Sequence, residues 1–527
     1  MDSSTATLEV RPDAPTLPSP SGRGQGRVLP LRQWLVPDLA LVLAAGTFFY
    51  VLVLFGGGQQ LFRDSDAGWH IRLGERILAG AGWPVTDPFS FSRAGQPWFA
   101  WEWGADVMMG AAHQAAGLPG VALLYSLLIA ACTWLWVRLN WAAGGSFLVT
   151  CLLAMPMLST ANLHWLARPH ILSWVLFLGC MLHFERRREW RLSLPAILGA
   201  FLVGSVWANI HGSFVLAIAG AVLLALGTAL RGLIWPVDLG FARVRWLLVV
   251  TAALFAGTFV NPYGWALHRH IFAYLTNSAL LERIGEFQSF NFQSAGAGWI
   301  LLTVLIAALG GVLAIGERRI DVALLTALLL VGALRSARML PLLALLALPY
   351  ANGMFTGALW RAEVRPELRR WLTAALAYGA NLRRFDARFG GYAFVPLLAL
   401  IGLVWLRLPM VAAGFPPAQF PVEAAKHLPA STPRLLAPDL YGGYLIYRFA
   451  GLRPVFFDGR SDFYGLDFMR RYIDLVEVRP GWAAQLDDWK FTHALLPNRY
   501  SLIPALEARG WKKIYADRTA TILEREN

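Results

Sequence analysis

Long apolar runs separated by short polar turns organise most of this chain. Eleven runs stand out, at roughly 34–55, 119–137, 146–161, 169–184, 192–208, 213–230, 246–262, 299–315, 320–334, 339–356 and 392–412. An α-helix needs about 20 apolar residues to cross a bilayer core, so each run predicts a transmembrane helix. Beyond residue 413 the pattern changes. Short runs such as RLLAP (434–438), PVFFD (454–458), HALLP (493–497), KKIYA (512–516) and TATIL (519–523) predict strands. Helical patterns around 440–449, 466–476, 481–488 and 501–509 lie between them. That alternation predicts a small α/β domain with a partly parallel sheet. The expected fold class is therefore an all-α polytopic membrane bundle over residues 34–412, of about 11 transmembrane helices, followed by a C-terminal α/β domain over 413–527. Residues 1–33, with Pro12, Pro15, Pro18 and Pro20 among Ser, Thr and Gly, read as a disordered tail. The first run follows no signal-peptide pattern and reads as an uncleaved anchor.

Composition agrees with that pattern: 57% of the 527 residues are hydrophobic and only 15% charged. The net charge of +13 invites a nucleic-acid reading, which its distribution removes. Only four of the 46 basic residues are Lys, and the Arg cluster in turns between apolar runs. One alternating set of turns, with the N-terminal tail, carries 21 Arg; the other carries nine. The positive-inside rule places the richer set and the N-terminus in the cytoplasm, and eleven crossings then put the C-terminal domain outside. Cys132, Cys151 and Cys180 fall inside apolar runs and predict neither a disulfide framework nor a metal site.

This topology gathers the unusual polar residues on the outer side. The first outer loop, 56–118, contains LFRDSDAGWHIRLGE (61–75), with Asp64, Asp66 and His70, and also Asp87 and Glu102. The shorter outer turns carry Arg168 and His170, Asn209 and His211, Asn261, Glu286, and Arg338. Ionisable residues at membrane depth are costly and commonly face a cavity, which makes these the candidate site residues. Each has a plainer reading beside the functional one. Asp64-Ser65-Asp66 can ligate a divalent cation or cap a helix. Asp87 precedes Pro88 as in an ordinary turn. Glu102 sits in the aromatic run WFAWEW, either as a desolvated acid or on an interfacial helix. His211 fits a hydrogen-bonded core residue or a phosphate or proton partner. Arg168 and Arg338 fit headgroup-level snorkelling or a bidentate phosphate clamp. In the tail, Asp458, Arg460 and Asp462 read as a turn after a strand, with a second polar cluster as the alternative. Glu75, with Arg72 and Arg76, reads as a solvated helix face.

Several segments together resemble the GT-C superfamily of polytopic glycosyltransferases, especially a bacterial branch. They are DSDAGWHIRLGERIL, TDPFSF and WEW in the first outer loop, ARPHILS, WANIHGSF, NPYG and ARMLP at outer turns, and GGYLIY with FFDGRSDFYG in the tail. The resemblance implies transfer of a sugar from a polyprenyl-phosphate donor to an acceptor lipid, glycan or protein at the outer face. It also implies a multi-pass protein in contact with membrane lipids of the bacterial inner membrane, with a periplasmic C-terminus. It assigns Asp64 or Asp66 as base or as ligand of a divalent cation, Mg or Mn, and makes Asp87 and Glu102 secondary acids. It places Arg168, His211 and Arg338 against phosphate. A transporter or assembly scaffold using the cleft without reaction, and a ligase moving a whole glycan from a diphosphate lipid, are the competing readings. Two features depart from relatives. The Asp-Glu pair of the protein mannosyltransferase and aminoarabinose transferase branches is replaced by Asp64-Ser65-Asp66, and the Trp-Trp-Asp motif of oligosaccharyltransferases is absent.

Overall fold

A helix occupies each of the eleven apolar stretches in the computed structural model, which describes residues 31–187, 189–236, 240–407, 413–429 and 431–526. Among the described residues, five helices are long and apolar enough to cross a membrane: Leu31–Leu54, Trp103–Ala142, Phe214–Ile234, Gly298–Gly316 and Ala337–Arg361. The helices Phe147–Asn162, His170–Arg186, Leu194–Ile210, Phe241–Gly257, Ile320–Arg335 and Phe394–Trp405 fill the remaining stretches. Most of the N-terminal tail (1–30) and the end of the last run (408–412) lie outside the described residues.

The Trp103–Ala142 helix runs well beyond the expected 119–137. Its backbone breaks at Ala116 and Gly117, just ahead of Pro119, so its first turns belong to the outer loop. A proline removes a helical hydrogen bond and crowds the preceding turn, which accounts for the break. The Arg-rich segment between 361 and 388 is not a simple turn: it forms the helix Pro366–Asp386, which buries Leu376 and Gly379 and exposes Leu368, Trp371, Tyr378 and Phe385.

The C-terminal sheet has the order β1-β2-β4-β3, with β1 (Leu435–Leu436), β2 (His493–Pro497), β3 (Trp511–Ala516) and β4 (Ala520–Arg525). The β1–β2 pair is parallel and the other two are antiparallel. PVFFD does not join this sheet as a strand. Val455 instead bridges Ser90 of the first outer loop, donating to Phe89 O at 2.8 Å and accepting from Phe91 N at 3.0 Å.

That bridge is one of several contacts between tail and loop. Another brings the helices Asp66–Arg76 and Asp439–Arg448 together at Gly68 and Gly443. A methyl group at Gly443 would overlap the Ser65 carbonyl, and one at Gly68 would overlap the Gly443 carbonyl, so only glycine permits the contact. Arg72 strengthens it, donating from Nε to Tyr447 O at 3.0 Å and stacking over the Tyr447 ring. Glu75 is consequently not a solvated face. It accepts from Arg72 at 2.5 Å and lies 2.5 Å from His113 Nδ1.

Candidate functional site

The tail docks where the long first loop (56–118) meets the turns that carry Arg168, Glu286 and Arg338, and a cavity of about 480 Å³ opens between them. Asp64 and Asp66 form one corner. Asp64 Oδ1 accepts the Asp66 N–H at 2.9 Å as the helix begins, as the capping reading expects, while Asp64 Oδ2 faces Arg168 NH1 at 2.8 Å. Arg168 also reaches Asp66 Oδ2 at 2.9 Å and Glu286 Oε1 at 3.0 Å. Glu286 in turn lies 3.7 Å from Arg338 Nε. Arg338 NH2 is 3.5 Å from His211 Nε2, and His211 Nε2 is 3.5 Å from Glu102 Oε1. A continuous polar chain therefore joins Asp64 to Glu102 through residues from four separate turns.

Behind Glu102 the chain continues into the protein. His70 is fully buried under Trp69, with Nε2 3.9 Å from Glu102 and Nδ1 2.5 Å from Asp106 Oδ1. No hydrogen-bond partner lies within range of His70 Nε2 among the described residues. His70 thus backs the cavity without lining it.

Burial sets the electrostatics. It raises the Asp66 carboxyl to about 7, with Asp64 adding to the rise and Arg168 opposing it. It raises Glu102 to about 8 against the pull of Arg168 and Arg338. Burial works the other way on His70 and His211, holding both well below the usual histidine range. Glu286 also feels burial, but Arg168 and Arg338 outweigh it and hold the carboxylate ionised.

Four of the candidate residues lie outside the cavity lining and are engaged in hydrogen bonds elsewhere. Asp87 lies outside the cavity, accepting Phe89 N at 3.1 Å, Ser90 N at 2.9 Å and Arg460 NH1 at 2.8 Å. His170 Nε2 is spent on His164 O at 2.8 Å. Asn209 accepts from Trp103 Nε1 at 2.6 Å and donates to Ser205 O and Val260 O at 2.7 Å. Asn261 organises its own turn, donating to Thr258 O at 2.8 Å and accepting from Tyr263 N at 2.8 Å. Their polar groups are engaged by backbone and by neighbouring side chains.

The tail supplies the wall that the sequence reading set aside. Arg460 is 3% exposed and bridges Asp87 and Asp458, with Tyr464 OH donating to Asp458 Oδ2 at 2.9 Å. Asp462 lines the cavity, accepting from Trp101 Nε1 at 3.1 Å and lying 2.9 Å from His270 Nε2. Burial opposes ionisation of Asp462, yet His270 and Trp101 keep its carboxyl below the usual range. Gly459 lies directly against the Asp66 carboxylate, where a side chain would overlap it. The usable signal was FFDGRSDFYG itself, three charges and a glycine at the start of an amphipathic helix.

Neither Asp64 nor Asp66 belongs to a ready-made cation cage: among the described residues no group of three or more His, Cys, Asp or Glu is arranged to hold a metal ion. Arg168 stands at the point the three carboxylates share.

No protein-family model matches the chain. No curated protein matches it in sequence either. Its fold is similar to the crystal structure of the Archaeoglobus fulgidus oligosaccharyltransferase in the apo form, with a TM-score of 0.50 and 10% identity. That similarity covers 87% of this chain and 69% of the archaeal one. At that identity the likeness is one of fold alone.

Proposed function

We propose that this protein is a membrane glycosyltransferase that takes a sugar from a polyprenyl-phosphate donor and passes it to an acceptor at the outer face of the membrane. One observation carries the reading: carboxylates and guanidinium groups from the first loop, three outer turns and the tail converge on a single cavity of about 480 Å³. The fold likeness to a protein named an oligosaccharyltransferase supports the same class.

Transfer requires a base for the acceptor hydroxyl and cations for the leaving phosphate. Asp66 suits the first role, since a carboxyl raised to about 7 is a stronger proton acceptor than an ordinary one. Asp64 holds the start of its helix and faces the same guanidinium. Arg338 is the cation for the phosphate, since its Nε is 3.7 Å from Glu286 and its guanidinium stays on the cavity wall. Glu102, neutral below about pH 8, keeps negative charge away from that phosphate.

A diphosphate-linked glycan donor is the second reading, favoured by Arg63 and Arg283 among the residues lining the same cavity, which give a second phosphate cations to meet. Purified protein given radiolabelled polyprenyl-phosphate sugars, and in parallel diphosphate-linked glycans, should release lipid and transfer label from one of them. Full turnover of Asp64→Ala and Asp66→Ala proteins would sink the assignment.

A further inference from the structure

Three carboxylates meet one guanidinium at the acid corner. Arg168 NH1 lies 2.8 Å from Asp64 and 3.0 Å from Glu286, and NH2 lies 2.9 Å from Asp66. Its side chain is 12% exposed. The backbone fixes its place as well. Ala167 N–H donates to Leu61 O at 2.8 Å, Arg168 N–H donates to Leu166 O at 2.8 Å, and Pro169 follows before the next helix starts. The guanidinium is therefore part of the wall.

A magnesium ion binds oxygens at about 2.0–2.1 Å and demands near-octahedral geometry. Here the point shared by the three carboxylates is filled by guanidinium nitrogens at ordinary hydrogen-bond distances. Asp64 Oδ1 is also spent on the Asp66 N–H, which leaves the corner short of free oxygens. A divalent ion at the same oxygens would have to displace a buried cation and then sit beside it.

We propose that Arg168 takes the place a divalent cation would occupy, balancing and orienting Asp64, Asp66 and Glu286, so that the acid corner works without bound metal. This departs from the cation that the Asp64-Ser65-Asp66 spacing suggests. A planar fork of five donors can serve three carboxylates at once, where a Lys ammonium is a point charge. Arg168 is then a positioning residue: it sets the direction of the Asp66 carboxylate and does not itself reach the phosphate.

Only the activity arm of the test rests on the proposed function. Purified full-length protein in detergent is titrated with Mn²⁺, with free ion followed by paramagnetic resonance and unfolding followed by heating. The expected result is no saturable site and no shift of the unfolding midpoint. One saturable Mn²⁺ per chain that vanishes in Asp64→Asn overturns the proposal. In the activity arm, EDTA leaves turnover of the polyprenyl-phosphate sugar unchanged, whereas Arg168→Lys lowers it about 100-fold and Mn²⁺ does not restore it. Loss of turnover in EDTA, recovered with Mn²⁺, overturns the proposal. If no donor is turned over with or without metal, the transferase reading fails, and the Mn²⁺ titration still decides the role of Arg168.

Discussion

At one end of the Ile320–Arg335 helix, Asp321 and Glu185 meet Arg319 and Arg243; just past its other end, Arg338 lines the cavity. Sixteen residues of helix, about 24 Å at 1.5 Å per residue, separate the two clusters. In the first, acids and guanidinium groups are matched. Asp321 accepts from Arg319 Nε at 3.0 Å and Arg243 NH2 at 2.6 Å, and Glu185 accepts from Arg319 at 3.4 Å and Tyr350 OH at 3.1 Å. In the second, eight acids and five Arg line one cavity. A matched cluster holds helices together. A surplus of buried acid favours keeping protons, and burial pushes Asp66 to about 7 and Glu102 to about 8 in that direction. The difference separates scaffold from chemistry more sharply than the presence of buried charge does.

The largest test of that contrast is Asp66→Asn. Loss of the base should cost about 10²–10⁴ in turnover, while the thermal midpoint stays level or rises because a buried carboxylate has been removed. Arg319→Ala should do the reverse. Breaking a buried ion pair costs about 3–5 kcal/mol, read in denaturant unfolding, with turnover per folded molecule preserved. An Arg319→Ala protein of normal stability and low turnover would erase the distinction.

Gly443→Ala falls between the two. Its methyl group would overlap the Ser65 carbonyl, and such overpacking costs about 1–3 kcal/mol. Stability and turnover should drop together, because the tail and the acid corner share that contact. The pH profile is gentler. Asp66 must be ionised to accept a proton, so turnover rises through about pH 7. Glu102 ionises near 8 and adds a negative charge beside the leaving phosphate, so turnover falls above that. Glu102→Gln should remove the alkaline limb alone. The smallest effect belongs to Arg283→Ala, a rise of about two- to fivefold in KM for a diphosphate-linked donor with kcat unchanged.

The bundle was legible because a helix in a membrane must be apolar over most of its length, and no other element produces such runs. The grouping of Asp64, Asp66, Glu102, Arg168, Glu286 and Arg338 was suggested by the asymmetry of Arg between turns, and the structure brings these six into one polar chain. What stayed hidden depended on contacts made far apart in sequence. Arg460 meets Asp87 across 373 positions, and nothing in FFDGRSDFYG announces that partner. Its turn-like spelling concealed a buried ion pair, and PVFFD, apolar enough for a strand, was instead a seam against the first loop. His170, Asn209 and Asn261 show the opposite case: the structure engages each away from the cavity. A polar residue that ends a helix and one that waits for substrate look alike until their backbone partners are known.

The contact of Gly459 with the Asp66 carboxylate also carries a consequence in time. A ribosome releases Asp64 and Asp66 early and the segment that closes over Asp66 almost 400 residues later. Until that segment arrives, Asp66 lacks one of its walls and Asp87 lacks its arginine. Competence of the centre is thus a property of the finished chain, and an interrupted translation product carries the aspartates without the enclosure that gives them their chemistry.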